Sequence, residues 1–150
     1  MKKITLLFGM ILIAATIFGQ SGSAPLSRGQ KQLNFGLGTG SNGLPVYAGI
    51  DFAVHNDVTV GPVIKLRIDD DISFGLLARG DYHFNSIIGI PREWDFYAGA
   101  SLGFFGGNDF DVDFGIQVGG RWYWSDKWGL NLEFGGGTGY SSAIGVSMKF

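Results

Sequence analysis

The sequence predicts an all-β fold: an eight-stranded antiparallel up-and-down transmembrane β-barrel that follows a cleaved signal peptide. Three observations predict it. From about Gln32 to Phe150, apolar residues alternate with polar residues or glycine, one strand after another, as expected where successive side chains point to opposite faces. All four tryptophans, Trp94, Trp122, Trp124 and Trp128, fall on the apolar phase at predicted strand ends. The first residues read as an export signal, and the chain ends on Phe150.

The signal peptide takes residues 1–20. Lys2 and Lys3 form its basic start, Ile4 through Phe18 its apolar stretch, and Gly19, Gly22, Ser23 and Ala24 supply small residues for cleavage. Cleavage before Gln20 and cleavage after Ala24 both fit. The apolar run is short for a spanning helix of about 20 residues. The barrel domain follows over 30–150. There is no Cys, hence no lipoprotein anchor and no disulfide framework. The chain has 11 Lys and Arg against 13 Asp and Glu; without Lys2 and Lys3 the basic count falls to 9 and the net charge to −4. That excludes the basic surface nucleic acid requires.

The strands follow in order. Segment 33–39 sets Leu33, Phe35 and Leu37 against Asn34, Gly36 and Gly38. Segment 46–54 sets Val46, Ala48, Ile50, Phe52 and Val54 against Tyr47, Gly49, Asp51 and Ala53. Segment 58–68 sets Val58, Val60, Pro62, Ile64, Leu66 and Ile68 against Thr59, Gly61, Val63, Lys65 and Arg67. Segment 72–84 sets Ile72, Phe74, Leu76, Ala78, Tyr82 and Phe84 against Ser73, Gly75, Leu77, Arg79, Asp81 and His83. Segment 94–104 sets Trp94, Phe96, Ala98, Ala100, Leu102 and Phe104 against Asp95, Tyr97, Gly99, Ser101 and Gly103. Segment 110–124 sets Phe110, Val112, Phe114, Ile116, Val118, Trp122 and Trp124 against Asp111, Asp113, Gln117, Arg121 and Tyr123. Segment 128–136 sets Trp128, Leu130, Leu132 and Phe134 against Gly129, Asn131 and Glu133. Segment 142–150 sets Ile144, Val146, Met148 and Phe150 against Ala143, Gly145, Ser147 and Lys149. Turn-forming residues separate them, as at His55-Asn56-Asp57 and Ser125-Asp126-Lys127. Segment 85–93 is the longest connection and reads either as a loop or as an extension of the hairpin, because Ser86, Ile88 and Ile90 continue the apolar phase.

One phase is apolar or glycine throughout, apart from Ser142, and the other holds nearly every strand charge. Water would not tolerate such a face, whereas lipid requires it. The polar phase then points into a lumen only wide enough for side chains. Its charges, Asp51, Asp81, Asp95, Asp111, Asp113 and Glu133 against Lys65, Arg67, Arg79, Arg121 and Lys149, nearly balance. Buried charges must pair, so a neutral plug is expected, with Arg121 on Glu133 and Lys65 and Arg67 reaching carboxylates across the lumen. An even strand number puts both termini on the periplasmic side. All four Trp then belong to the periplasmic rim with Phe52, Tyr82, Phe84 and Phe150, and Phe74, Phe104, Phe110, Phe134 and Tyr140 to the other.

Two stretches carry a resemblance. Tyr82-His83-Phe84-Asn85 with Ile90-Pro91-Arg92-Glu93-Trp94-Asp95-Phe96-Tyr97-Ala98-Gly99, and Gly120-Arg121-Trp122-Tyr123-Trp124-Ser125-Asp126-Lys127-Trp128-Gly129-Leu130, resemble small outer-membrane β-barrel domain proteins of the Bacteroidetes, with the architecture of the OmpX/OmpA-like eight-stranded class. The resemblance implies a monomer in the outer membrane of a Gram-negative cell, in contact with its lipid and lipopolysaccharide. The last strand resembles the insertion signal read by the barrel-assembly machinery, in Gly145, Met148 and Phe150; Ala143 stands where that pattern prefers a polar residue.

Candidate chemistry is sparse. Gly38-Thr39-Gly40-Ser41-Asn42-Gly43 matches a nucleotide-binding glycine pattern, but Leu44-Pro45-Val46 follows where that motif needs a helix. The Asp69–Asp71 run and the Asp109, Asp111, Asp113 triplet read as solvated loop and interior charge, not as a metal site, and no cofactor is expected. Nucleophilic catalysis needs a His with a Ser or carboxylate in reach. Only His55 and His83 are present, His83 on the interior phase across from Asp95. The expected role is therefore structural or accessory. The alternatives are a narrow porin-like channel or small-ligand barrel and, after them, a soluble lipocalin-like barrel or a lipid A-modifying enzyme.

Overall fold

The computed structural model describes residues 23–40, 43–107, 109–136 and 142–150. The apolar part of the expected signal peptide, the Ser41-Asn42 loop, Asn108 and Tyr140 lie outside them. Eight strands form: β1 (Lys31–Thr39), β2 (Leu44–His55), β3 (Val58–Ile68), β4 (Ile72–His83), β5 (Trp94–Gly106), β6 (Phe110–Tyr123), β7 (Trp128–Gly135) and β8 (Ser142–Lys149). Each pairs antiparallel with its sequence neighbours, and β8 pairs with β1, closing the barrel. Strand ends differ from expectation by one or two residues in both directions: β1, β2 and β5 run longer, and β4, β6, β7 and β8 stop one residue sooner. β1 begins and β8 ends at one rim, called the near rim here.

Segment 85–93 is a connection and not an extension of the hairpin. Asn85–Ile88 forms one helical turn, α1, and Gly89 reverses the chain at φ 67. Pro91 cannot donate to a ladder, and its carbonyl instead accepts from Trp94 N at 3.0 Å. The apolar phase of Ser86, Ile88 and Ile90 is thus not a hairpin extension. Asn85 anchors the turn from inside, its Nδ2 donating to Trp94 O at 2.6 Å.

The two phases separate as the alternation requires. Leu37, Ile64, Leu76, Leu102, Phe114 and Ile144 are exposed on the outer wall, while Asp51, Lys65, Asp81, Asp95, Gln117 and Arg121 are buried inside. Glycine makes the interior possible. Four aromatic side chains point inward, and each lies opposite a glycine of the neighbouring strand: Tyr47 opposite Gly36, Phe105 opposite Gly75, Tyr97 opposite Gly119 and Tyr123 opposite Gly129. A Cβ on Gly75 or Gly119 would overlap the facing ring. The abundant glycine of the lumen phase therefore holds space that aromatic rings occupy.

This predicts a contrast between two glycines. Gly119→Ala drives a methyl into Tyr97 and should cost about 1–3 kcal/mol, the usual range for overpacking. At Gly80 an added Cβ meets nothing nearer than 3.8 Å, so Gly80→Ala should stay within about 0.5 kcal/mol of the parent. Urea unfolding in detergent, followed by Trp fluorescence, measures both.

Candidate functional site

Strand geometry brings the inward polar residues into one connected cluster. At the near rim, Thr59 Oγ1 lies 3.0 Å from His83 Nε2, and His83 Nδ1 lies 2.7 Å from Asp95 Oδ1. Arg121 joins the next layer: NH1 donates to Asp95 Oδ2 at 3.0 Å and NH2 to Asp51 Oδ2 at 2.9 Å. Its guanidinium also stacks 4.2 Å from the centre of the Tyr97 ring. Asp51 accepts from Asn34 Nδ2 at 2.8 Å and from Gln32 Nε2 at 3.3 Å. The Tyr123 hydroxyl donates to Gln32 Oε1. Ser147 Oγ donates to Asn34 Oδ1 at 2.7 Å, Asn131 Nδ2 donates to Ser147 Oγ at 3.0 Å, and Tyr47 OH donates to Asn131 Oδ1 at 2.5 Å.

A second cluster lies farther up the lumen. Arg79 Nε is 2.5 Å from Asp81 Oδ2, and Arg79 NH2 is 2.6 Å from Glu133 Oε2. Glu133 also accepts from Tyr97 OH at 2.8 Å, and Asp81 accepts from Gln117 Nε2 at 3.0 Å. Lys65 Nζ donates to Gly136 O, with Asp113 and Glu133 as the carboxylates in Coulombic reach. Arg67 lies 4.9 Å over the Phe105 ring. A cavity of about 10 Å³ beside this cluster is lined by Lys65, Arg79, Ser101, Gln117 and Glu133, enough for about one water molecule.

Two expectations need correction. Arg121 does not pair with Glu133. The register sets Arg121 opposite Asp95 on one side and Asn131 on the other, so Asp95 is the carboxylate directly across. Glu133 sits opposite Gly119 and is taken by Arg79. Asp111, counted among the interior charges, is exposed at the far rim and joins none of the lumen ion pairs among the described residues. Lys149, also on the inward phase, lies 4.0 Å over Tyr123.

The other sequence-marked residues are placed as follows. Trp94 and Trp122 face each other across β5 and β6, their ring centres 6.3 Å apart. These two and Trp124 are exposed on the outer wall at the near rim, and Trp128 is half-buried there. In β8, Gly145 meets Gly36, and Met148 stands between Leu33 and Trp128. Phe150 N donates to Lys31 O at 2.9 Å, and its side chain is exposed. Neutral residues of the network were not singled out by sequence: Gln32, Asn34, Tyr97, Gln117, Tyr123, Asn131 and Ser147. The signal was their phase, which is the phase of the charges.

Chemically, Thr59, His83 and Asp95 have the order of hydroxyl, imidazole and orienting carboxylate found in nucleophilic sites. All three are at most 2% exposed, and Asp95 is shared with Arg121. Among the described residues no group of three or more His, Asp and Glu side chains is placed to hold a metal ion.

No protein-family model matches the sequence, and no curated protein matches it at a significant level. Solved structures do match. A de novo designed transmembrane β-barrel superposes with a TM-score of 0.70 at 16% identity, covering 83% of this chain and 98% of that one. The N-terminal β-barrel domain of Pseudomonas aeruginosa OprF gives 0.70 at 13% identity, covering 83% and 100%. Neisserial surface protein A gives 0.56 at 14% identity, covering 81% and 95%. At these identities the likeness is one of fold.

The ion-pair geometry predicts a selective coupling. A double-mutant cycle on Arg121 and Asp95, read by unfolding free energy, should return an interaction of about 1–3 kcal/mol, in the range of contacting residues of one network. The corresponding cycle on Arg121 and Glu133 should return much less.

Proposed function

We propose that this chain is a monomeric integral β-barrel protein of a bacterial outer membrane, with a plugged lumen and a structural or accessory role. The outer wall is the observation that carries this reading. Among the described strand residues, the one charged side chain on the outward phase is Lys31, at the near rim, with Nζ 5.7 Å over the Phe52 ring. Everything between the rims is apolar or small. A soluble barrel would have to wet that surface; a bilayer matches it. The Trp cluster at the near rim suits the interface that amphipathic rings prefer, and Lys31 there can extend along the wall toward water. The resemblance of segment 120–130 to small Bacteroidetes barrels supports the same location and an assembly route through Gly145, Met148 and Phe150.

The plug is supported by the lumen chemistry. Arg79 bridges Asp81 and Glu133, and Arg121 bridges Asp51 and Asp95, in ion pairs between 2.5 and 3.0 Å, and aromatic rings fill the glycine gaps. Opening a conducting path would separate these buried pairs, which is costly. A catalytic role is disfavoured by the burial of Thr59, His83 and Asp95.

Two measurements test the reading. The protein should fractionate with the outer membrane and change mobility on a gel between unboiled and boiled samples; a soluble, heat-insensitive band overturns the class. In planar bilayers it should give no discrete conductance steps, whereas steady channels would replace the plugged barrel with a narrow pore.

A further inference from the structure

We infer that residues 23–30 belong to the mature barrel as a strap across its near mouth, so that the signal peptide is removed on the N-terminal side of Ser23, at the Gly19–Gln20 bond, and not after Ala24. The inference rests on the export proposed above.

The two ends of the lumen differ. At the far rim, inward residues are open: Asp111 is exposed, and Arg67 and Ser73 are half-buried. At the near rim, Thr59 and His83 are 2% exposed and Asn85 is 0% exposed, although they stand at strand ends where a bare barrel would admit water. Segment 23–30 is packed in at this end and reaches Asn85. Ala24 and Leu26 are each 3% exposed, and Pro25 between them is buried. The segment is tied down at both sides of the mouth. Asn85 Nδ2 donates to Ser23 O at 3.4 Å. Arg28 N donates to Asn56 Oδ1 at 3.1 Å and Gly29 N to Ala53 O at 2.8 Å. The strap thus runs from the β4–β5 connection to the β2–β3 hairpin before entering β1.

The chemistry of cleavage then separates the two candidate bonds. Hydrolysis adds water across a peptide bond, leaving a carboxylate on the departing piece and an ammonium on the new first residue. After Ala24, that ammonium would fall on Pro25, inside the strap. The same cut removes the buried Ala24 and the carbonyl that Asn85 Nδ2 reaches at Ser23. Cleavage at Gly19–Gln20 puts the new charge upstream of Ser23, which is exposed, and leaves every strap contact intact.

The test is the intact mass of protein purified from the outer membrane of an expressing Gram-negative host. A chain beginning at Gln20, or at its cyclised form lighter by one ammonia, is expected. A chain beginning at Pro25 overturns the inference and leaves the outer-membrane reading standing. A chain that keeps Met1 overturns the cleavage, and absence of the protein from the outer-membrane fraction overturns the outer-membrane reading. A second measurement addresses the strap itself: in Leu26→Asp, diethyl pyrocarbonate should modify His83, read by peptide mapping, about tenfold faster or more, because local opening governs access. An unchanged rate in a variant that keeps the heat-modifiable band overturns the strap as the cover.

Discussion

Closing eight strands on themselves leaves a narrow lumen, and the rest of the structure answers to that width. Every inward position competes for the same small volume. Large residues are admitted where the facing strand offers a glycine, which is why Tyr47, Tyr97, Phe105 and Tyr123 each meet one. Charges are admitted where opposite charges stand within hydrogen-bond reach. Arg121 is the hub of this arrangement, holding Asp51 and Asp95 on two non-adjacent strands while its flat face covers Tyr97. Losing it would leave two carboxylates buried without a counter-charge, the situation in which breaking a pair costs far more than the pair contributes.

The wall therefore separates two chemistries within one backbone thickness. Outside, side chains are interchangeable in kind: Leu, Ile, Val and Phe present apolar area and make few specific contacts. Inside, the polar residues of the two clusters bond one another on specific atoms. The consequence is unequal tolerance. An outward Ile64 or Leu102 can trade for another apolar residue, whereas an inward Gln117 or Asn131 is bonded on specific atoms. The designed barrel and the natural ones that superpose on this chain share barely a sixth of its residues or fewer, so the fold asks for the pattern and leaves the interior network to each sequence.

How much of this could be read beforehand follows from the same division. The phase of each strand was legible, since alternation is local and one face is unbroken by charge. Which side chains touch was less so. Arg121 and Asp95 lie far apart in sequence and meet through strand register, which alternation alone does not specify; Glu133 on the neighbouring hairpin looked as good a partner. The contact of His83 with Asp95 could be anticipated, because both residues sit at the ends of one hairpin. Segment 85–93 left two readings open because Ile88 and Ile90 at alternate positions mimic a strand, while Gly89 and Pro91 interrupt one. Neutral network members escaped notice because Gln and Asn carry no charge to balance.

The position of Tyr47 has a further consequence. It stands on β2, yet its hydroxyl bonds Asn131 on β7, passing over the glycine pair Gly36 and Gly145 that joins β1 to β8. Those two strands form the seam where the sheet meets itself, and they come from opposite ends of the chain. The bond needs the seam closed, since in an open sheet β1 and β8 are the free edges and β2 and β7 stand next to them at opposite ends. Tyr47 therefore works as a clasp that records completion. Its two glycines keep the join thin enough to be spanned, and its closure converts the last strand pairing from an edge contact into one stitched from within.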